Sequence, residues 1–405
     1  MNSFIISNAT VVTPWEVLHG TSILVEHGII THIGGQINEE YSGMIINADG
    51  AIVIPGIIDL HTDAMDAEIV PRSGADIPIA VAFRELERKM SGCGFTTVYH
   101  SMHLGYESAE MNSHSKYTRP EVFETVYKAS KGNTLLNNKI HLRFEISGVK
   151  AYDTCFELMD KGFISLLSVM DHTPGQGQIT KEYAIQFMIK SGKTETEARE
   201  LVEGKLNQSK IDGERLEALI HHAKKLHIPV ASHDDDTIEK VDYMHGLGVN
   251  ICEFPITMET ALHATKLGMH VIGGASNILR GGSLSGNLSM KEAVLAGAVD
   301  TLCSDYYPPS ILHSVFKLYN EGSLPLHEAV NMASLYPAKA AGISHHTGSI
   351  ETGKDADLVI VKLLDNIPMV THTIVKGHIV AQASNKINYN EGVELDNNLS
   401  VTNEL

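Results

Sequence analysis

Eight short runs rich in apolar and β-branched residues recur between residues 57 and 305, and stretches with apolar residues at three- and four-residue spacing separate most of them. The runs are Ile57–His61, Phe95–His100, Ile140–Ile146, Ile164–Asp171, Ile228–His233, Val249–Phe254, Met269–Gly274 and Val299–Asp305. Helical spacing covers Ile79–Met90, Pro120–Lys131, Thr194–Leu226 and Met258–Leu267. Eight strands alternating with helices fit an α/β fold, a closed parallel (β/α)8 TIM barrel. An open doubly wound sheet fits less well, because no Gly-x-Gly-x-x-Gly turn follows the first strand.

Both ends of the chain read differently. Short β-like runs broken by Gly, Asn and Asp fill Phe4–Ile54, and a comparable pattern returns at Ala356–Val361 and Val370–Val380. The expectation is one small antiparallel side domain, a β-sandwich built from residues 1–54 and 347–405, flanking a barrel of residues 55–346. Thr173–Ile211 is long, polar and rich in Lys and Glu, which predicts a partly helical insertion over the barrel mouth. Residues after Lys386 are polar, Asn-rich and acidic, as in a loosely ordered tail or a packing arm.

Composition narrows the partners. A formal net charge of −18 over 405 residues argues against a nucleic-acid backbone or an anionic membrane surface. No apolar run is long enough to span a bilayer, and Met1-Asn-Ser-Phe-Ile-Ile6 lacks the basic region and apolar segment of a signal peptide, so a cytoplasmic protein is expected. Cys93, Cys155, Cys252 and Cys303 are far apart with no Cys-x-x-Cys pair, which reads as buried reduced thiols. A small anionic substrate remains compatible, since metal ions and a few arginines reverse the field inside a pocket.

The chemistry-bearing residues fall at the ends of the strand runs. His61 and Asp63 sit two apart, so strand alternation points both the same way, and a divalent cation accepts that pairing of nitrogen and oxygen. Other runs finish on Glu145, on Asp171 and His172, on His233 with Asp234 to Asp236, on Glu253, and on Ser304 with Asp305. Each has a plainer reading: Glu145 pairing with Arg143 or Lys150, His172 capping the turn at Pro174-Gly175, the three aspartates capping a helix before Thr237, Asp305 capping the next helix. Together, at one barrel mouth, they point to two divalent ions sharing a bridging water. Zinc is the expected metal; manganese, iron and nickel suit the same donors. Hydrolysis is the natural outcome, and no Gly-x-Ser-x-Gly elbow offers a serine nucleophile instead.

A second feature follows the seventh run. Gly273-Gly-Ala-Ser-Asn-Ile-Leu-Arg-Gly-Gly-Ser-Leu-Ser-Gly-Asn287 interleaves glycines with Arg280 and serines, which makes an anion cradle. Arg72 lies beyond the first run and could reach the same mouth.

The Pro55-Gly-Ile-Ile-Asp-Leu-His-Thr-Asp63 opening, the flanking β segments and Ser304-Asp305 on the last run resemble the amidohydrolase superfamily. Within it, His61-Thr-Asp63, Met170-Asp-His-Thr-Pro-Gly-Gln176, Ala231-Ser-His-Asp-Asp235, the Asn277–Asn287 loop and Ser304-Asp-Tyr-Tyr-Pro308 resemble the ribose methylphosphonate triphosphate diphosphatases of the carbon–phosphorus lyase pathway. The resemblance implies a metal-dependent enzyme in which water attacks a triphosphate ester, releasing pyrophosphate and leaving the ribose 5-phosphate. It implies metal binding by His61, Asp63, Glu145, His172, His233 and Asp305, with Glu145 as bridging ligand and Asp305 also as general base. Glu253, on the sixth run, is a rival ligand. Arg72, Asn277, Arg280 and Ser283 are the implied substrate-binding residues, and a homo-oligomer is expected. Ala64, Ser276 and Leu284 depart from the pattern of those diphosphatases, which leaves a cyclic amide, N-acyl or amine substrate as the alternative.

Overall fold

Gly56 opens the first barrel strand because nothing larger fits there: a Cβ at that position would stand 2.0 Å from Thr96 Oγ1 on the neighbouring strand. The computed structural model describes residues 3–35, 42–72, 74–105, 115–178, 180–283 and 288–384. Strands Ile57–Thr62, Phe95–Leu104, Asn137–Glu145, Leu166–Met170, Val230–His233, Ile251–Glu253, His270–Gly274 and Thr301–Cys303 each pair in parallel with the next. All eight expected runs are strands, and their order in the sheet is their order in the chain.

Closure differs at the two ends of the barrel. At the mouth the last strand meets the first directly, with Asp305 N–H donating to His61 O at 3.0 Å and Asp63 N–H to Asp305 O at 2.8 Å. At the base residues 332 and 333 fill the seam, where Leu302 N–H donates to Met332 O and Ile58 N–H to Ala333 O, each at 2.9 Å. The second strand, Phe95–Leu104, is buried at every position, as a strand covered on both faces must be. Helix Ile79–Gly92 lays Phe83, Leu86 and Met90 on the barrel wall, each side chain stabilising the fold by roughly 1.5–3 kcal/mol.

The side sheet comes from both chain ends: Phe4–Val12, Val17–Glu26, Ile29–Gly34, Met44–Asn47 and Ile52–Pro55 join Leu358–Leu364, Ile367–Val375 and His378–Gln382. It is mixed rather than purely antiparallel. Phe4–Ser7 runs parallel to Met44–Asn47, and Thr10–Val11 parallel to Ile52–Val53. Alternation of apolar residues tells which face is buried, not which way the partner runs. The far strand returns to the segment entering Leu358, with Ile30 N–H donating to Lys354 O at 2.9 Å, so the sheet rolls around its own core of Phe4, Ile6, Val11, Ile23, Val53 and Ile360.

Two expected elements are split. Val370–Val380 is interrupted by a hairpin turn, where Lys376 (φ 47°) and Gly377 (φ 74°) both take the left-handed conformation. The Thr194–Leu226 helix is two helices, Glu195–Leu206 and Gly213–Lys225. Between them Ile211 N–H donates to Ile146 O at 2.9 Å, tying the chain to the barrel, and Asp212 caps the second helix by accepting from Arg215 N–H. The insertion is largely helical, with Lys181–Lys190 packed on Glu195–Leu206, and its first turn reaches the mouth. Three of the four cysteines are buried and Cys93 is half-buried, all unpaired. The tail after Lys386 and residues 284–287 of the arginine loop lie outside the described residues. Among the described residues, no helix is long and apolar enough to cross a membrane.

Candidate metal centre

Each strand that ends at the mouth delivers one or two polar groups there. His61 is the fifth residue of the first strand and is buried, while Asp63 follows it two residues on, its carboxylate Oδ1 3.8 Å from His61 Nε2. Asp305 follows the eighth strand. His61, Asp63 and Asp305 form one group whose possible ligand atoms all lie within 4.8 Å of one another. His172, after the fourth strand, with His233 and Asp234, at the end of the fifth, form a second group by the same measure. The His61 and His233 rings are 5.7 Å apart, and those of His172 and His233 5.3 Å.

Backbone bends aim these groups. Asp234 (φ 52°), Phe254 (φ 52°) and Asp305 (φ 59°) all take the left-handed conformation directly behind strands. Aspartate tolerates it, whereas for a phenylalanine it stores strain of order 1–3 kcal/mol. Phe254 holds its ring edge-on against His61, with centroids 5.0 Å apart, and beside His233.

The electrostatics of the mouth follow from burial and one guanidinium. Arg143, two residues before Glu145 on the third strand, donates from Nη1 to Asp63 Oδ1 at 2.7 Å and from Nε to Met170 Sδ at 3.3 Å. Burial would raise the Asp63 carboxyl, but Arg143 and His61 outweigh it and hold the carboxyl below its ordinary value. Burial pushes Asp305 up to about 6. It pushes the His233 imidazole down, against the pull of Asp234. Asp234 itself is held down at about 2, with burial opposed by His233 and His172 and by the amide of Gln178.

These residues fit a cation site on their own geometry. Both ring nitrogens of His233 are buried without a hydrogen-bond partner, although Asp234 Oδ1 lies 3.3 Å from Nδ1. Buried imidazole nitrogens left open beside carboxylates cost free energy unless a ligand takes them, and His and Asp are donors suited to zinc, manganese, iron or nickel. Two groups, one with a single His and two carboxylates and one with two His and a carboxylate, offer places for two ions.

The expected residues sort into those at the mouth and those held elsewhere. His61, Asp63, His172, His233 and Asp305 come together. Glu145 stands behind His172: Oε1 accepts the His172 backbone N–H at 2.9 Å and Oε2 lies 2.8 Å from its Nδ1. Both its oxygens are therefore occupied, and it belongs to neither group. Asp171 turns away and accepts from Lys210 and Thr173. Asp234 points into the site rather than capping a helix; Thr237 is the cap.

A second cavity adjoins the mouth, sharing Gln178, Phe254 and Asp305 with it and lined on its far side by Asn277, Arg280 and Ser283. Arg280 donates to Tyr306 Oη at 2.9 Å and to Gly282 O at 2.6 Å. Asn277 lines the same cavity, but its Nδ2 donates to Leu288 O and its Oδ1 accepts from Met290 N–H, so its amide braces the loop. Arg72 is exposed and lines neither cavity.

Arg143 and Gln178 were missed as site residues, and Asp234, read among the strand-end carboxylates, was left out of the implied ligands. Arg143 had a signal, because strand alternation places it on the side of Glu145. Asp234 had one too, next to His233. Gln178 had none: it arrives from the insertion, where Gly177 (φ 59°) packs so tightly that a Cβ would meet Asp234 Cβ at 2.7 Å.

A closed parallel barrel with two His and carboxylate groups at the C-terminal ends of its strands, and a side sheet from both termini, is an architecture of the amidohydrolase type, with side chains at the mouth that could hold metal ions. The chain belongs to the amidohydrolase family, which it matches over residues 182–380. It is 32% identical over 381 residues to the alpha-D-ribose 1-methylphosphonate 5-triphosphate diphosphatase of Escherichia coli K12, covering 91% of this chain and 97% of that protein. It is 29% identical over 147 residues to an adenine deaminase of Clostridium botulinum, 33% of this chain and 23% of that one. Among solved structures it resembles a D-hydantoinase from Bacillus sp. AR9 at 16% identity, with a TM-score of 0.64 over 94% of this chain and 95% of that one. A Xaa-Pro dipeptidase gives 16% identity and a TM-score of 0.66 over 94% and 100%. These two likenesses concern the fold.

Proposed function

We propose that the chain hydrolyses the triphosphate of α-D-ribose 1-methylphosphonate 5-triphosphate, releasing pyrophosphate and leaving the sugar 5-phosphate. The observation that carries this reading is the shared wall between the two His–carboxylate groups and the Arg280 cavity, in a chain aligned over 91% of its length with a relative of that activity.

His61, Asp63 and Asp305 would hold one divalent ion, and His172, His233 and Asp234 the other. When bound, the ions supply Lewis-acid activation of water and charge neutralisation at phosphoryl oxygens. Arg280, at the far side of the adjoining cavity, neutralises the terminal phosphates and sets the chain of phosphorus atoms in line with the mouth. Asp305 faces both cavities and takes the proton of the attacking water as its oxygen bonds to the α-phosphorus. The bond from that phosphorus to the bridging oxygen breaks, and pyrophosphate leaves toward Arg280. Arg143 keeps Asp63 ionised and in place throughout.

The test is turnover of the triphosphate by the zinc- or manganese-loaded chain in 18O-labelled water. Pyrophosphate should form in a one-to-one ratio with the sugar 5-phosphate, the label appearing in the latter. Release of orthophosphate instead, or turnover of a hydantoin or adenine with the triphosphate untouched, would replace this reading with another of the family.

A further inference from the structure

Glu253 ends the sixth barrel strand directly beneath the mouth and has no exposed surface. Its Oε1 lies 3.2 Å from His61 Nδ1, and its Oε2 accepts from Ser168 Oγ at 2.5 Å. Ser168 in turn contacts His141 Nε2, and His141 Nδ1 lies 2.9 Å from Leu60 O, one residue before His61. Side chains from the first, third, fourth and sixth strands thus form one buried chain that ends on the His61 ring.

Two roles compete for Glu253. With His61 and His233 it forms a third group close enough to bind a cation. Yet His61 Nδ1 cannot donate to Glu253 and ligate at the same time, and both Glu253 oxygens already have partners. His61, His233 and Asp305 line the mouth cavity, whereas Glu253 does not. We propose that Glu253 is a positioning residue: it holds His61 with Nδ1 protonated and facing down, so that Nε2 is presented to a cation shared with Asp63 and Asp305. The assignment rests on the reading that the mouth binds divalent ions. A carboxylate on the far nitrogen fixes the tautomer of a ligating imidazole and raises its basicity, and losing such a partner lowers metal affinity roughly 10–100-fold.

Glutamine and leucine separate the roles. The amide oxygen of Glu253→Gln still accepts from His61 Nδ1–H, whereas Glu253→Leu offers no acceptor, and either change removes a carboxylate ligand. Metal-free protein is titrated with Zn2+ by calorimetry, and bound metal is counted after gel filtration. Wild type should bind two ions, and E253Q should also bind two, with one site weakened by no more than about tenfold. In E253L that site should weaken by roughly 10–100-fold while two ions still bind at saturation. The 15N imidazole signal of His61 in the zinc-loaded wild type should report a protonated Nδ1. Should E253L fail to fold, Ser168→Ala removes the lower anchor of Glu253 and should weaken the same site a few-fold without losing an ion. An E253Q protein that saturates with one ion, or a loaded S168A indistinguishable from wild type, overturns the assignment. A wild type that binds no ion overturns the metal reading itself, a different result from either.

Discussion

Arg143 Nη1 stands 2.7 Å from Asp63 Oδ1, so the carboxylate nearest His61 Nε2 is already paired with a guanidinium before any cation arrives. A cation at His61, Asp63 and Asp305 must therefore bind beside a fixed positive charge.

Arg143→Met should separate these effects. The metal-free protein loses a partly exposed ion pair, with side chains 12% and 42% exposed, and should be destabilised by about 1–3 kcal/mol in urea denaturation. The first Zn2+ should bind more tightly in calorimetry, because the repelling charge is gone. Weaker zinc binding would mean that Arg143 chiefly shapes the site.

Arg280→Gln removes the charge from the cavity beside the mouth. A charge-assisted hydrogen bond to a phosphate contributes roughly 1.5–3 kcal/mol, which corresponds to a KM raised about 10–100-fold for the triphosphate. kcat should change much less. A change confined to kcat would place Arg280 outside the bound phosphates.

Asp305→Asn tests the base. Loss of a general base should lower kcat by about 100- to 10,000-fold. The metal-free variant should melt no lower than wild type, since burial already disfavours the charged form of Asp305.

Asp357 predicts a pH dependence of stability far from the mouth. It is buried, accepts from Lys376 N–H and Thr347 Oγ1, and is pushed by burial up to about 6. Between the ordinary carboxylate value near 4 and about 6, the folded protein holds a proton that the unfolded chain releases. The contribution of Asp357 to stability should therefore fall as pH rises through that window, by an amount on the order of 3 kcal/mol, and level off above it. Asp357→Asn should remove this share and make the curve less steep than that of wild type in denaturation series between pH 4 and 7, where Asp59 and Asp305 also contribute.

Much of this was legible in the sequence, for reasons that can be named. The barrel strands announce themselves because a strand covered on both faces is largely apolar, as in Leu166–Met170. His61, Asp63, His233 and Asp305 stand out because polar groups that close such runs have only the mouth to face. Residue type says less about competition between partners. Glu145 and Asp234 look interchangeable as carboxylates, and only the fold decides that His172 occupies the first and that the second stays in the mouth. Pairing direction was equally silent, so the parallel ladder between Phe4–Ser7 and Met44–Asn47 had no sequence signal.

The most direct measurement is anomalous diffraction from crystals soaked in zinc, collected on both sides of the metal's absorption edge. The structure predicts two peaks per chain at the barrel mouth, one contacting His61, Asp63 and Asp305 and the other His172, His233 and Asp234. No peak there, or zinc held only at surface histidines such as His345 and His346, would contradict it.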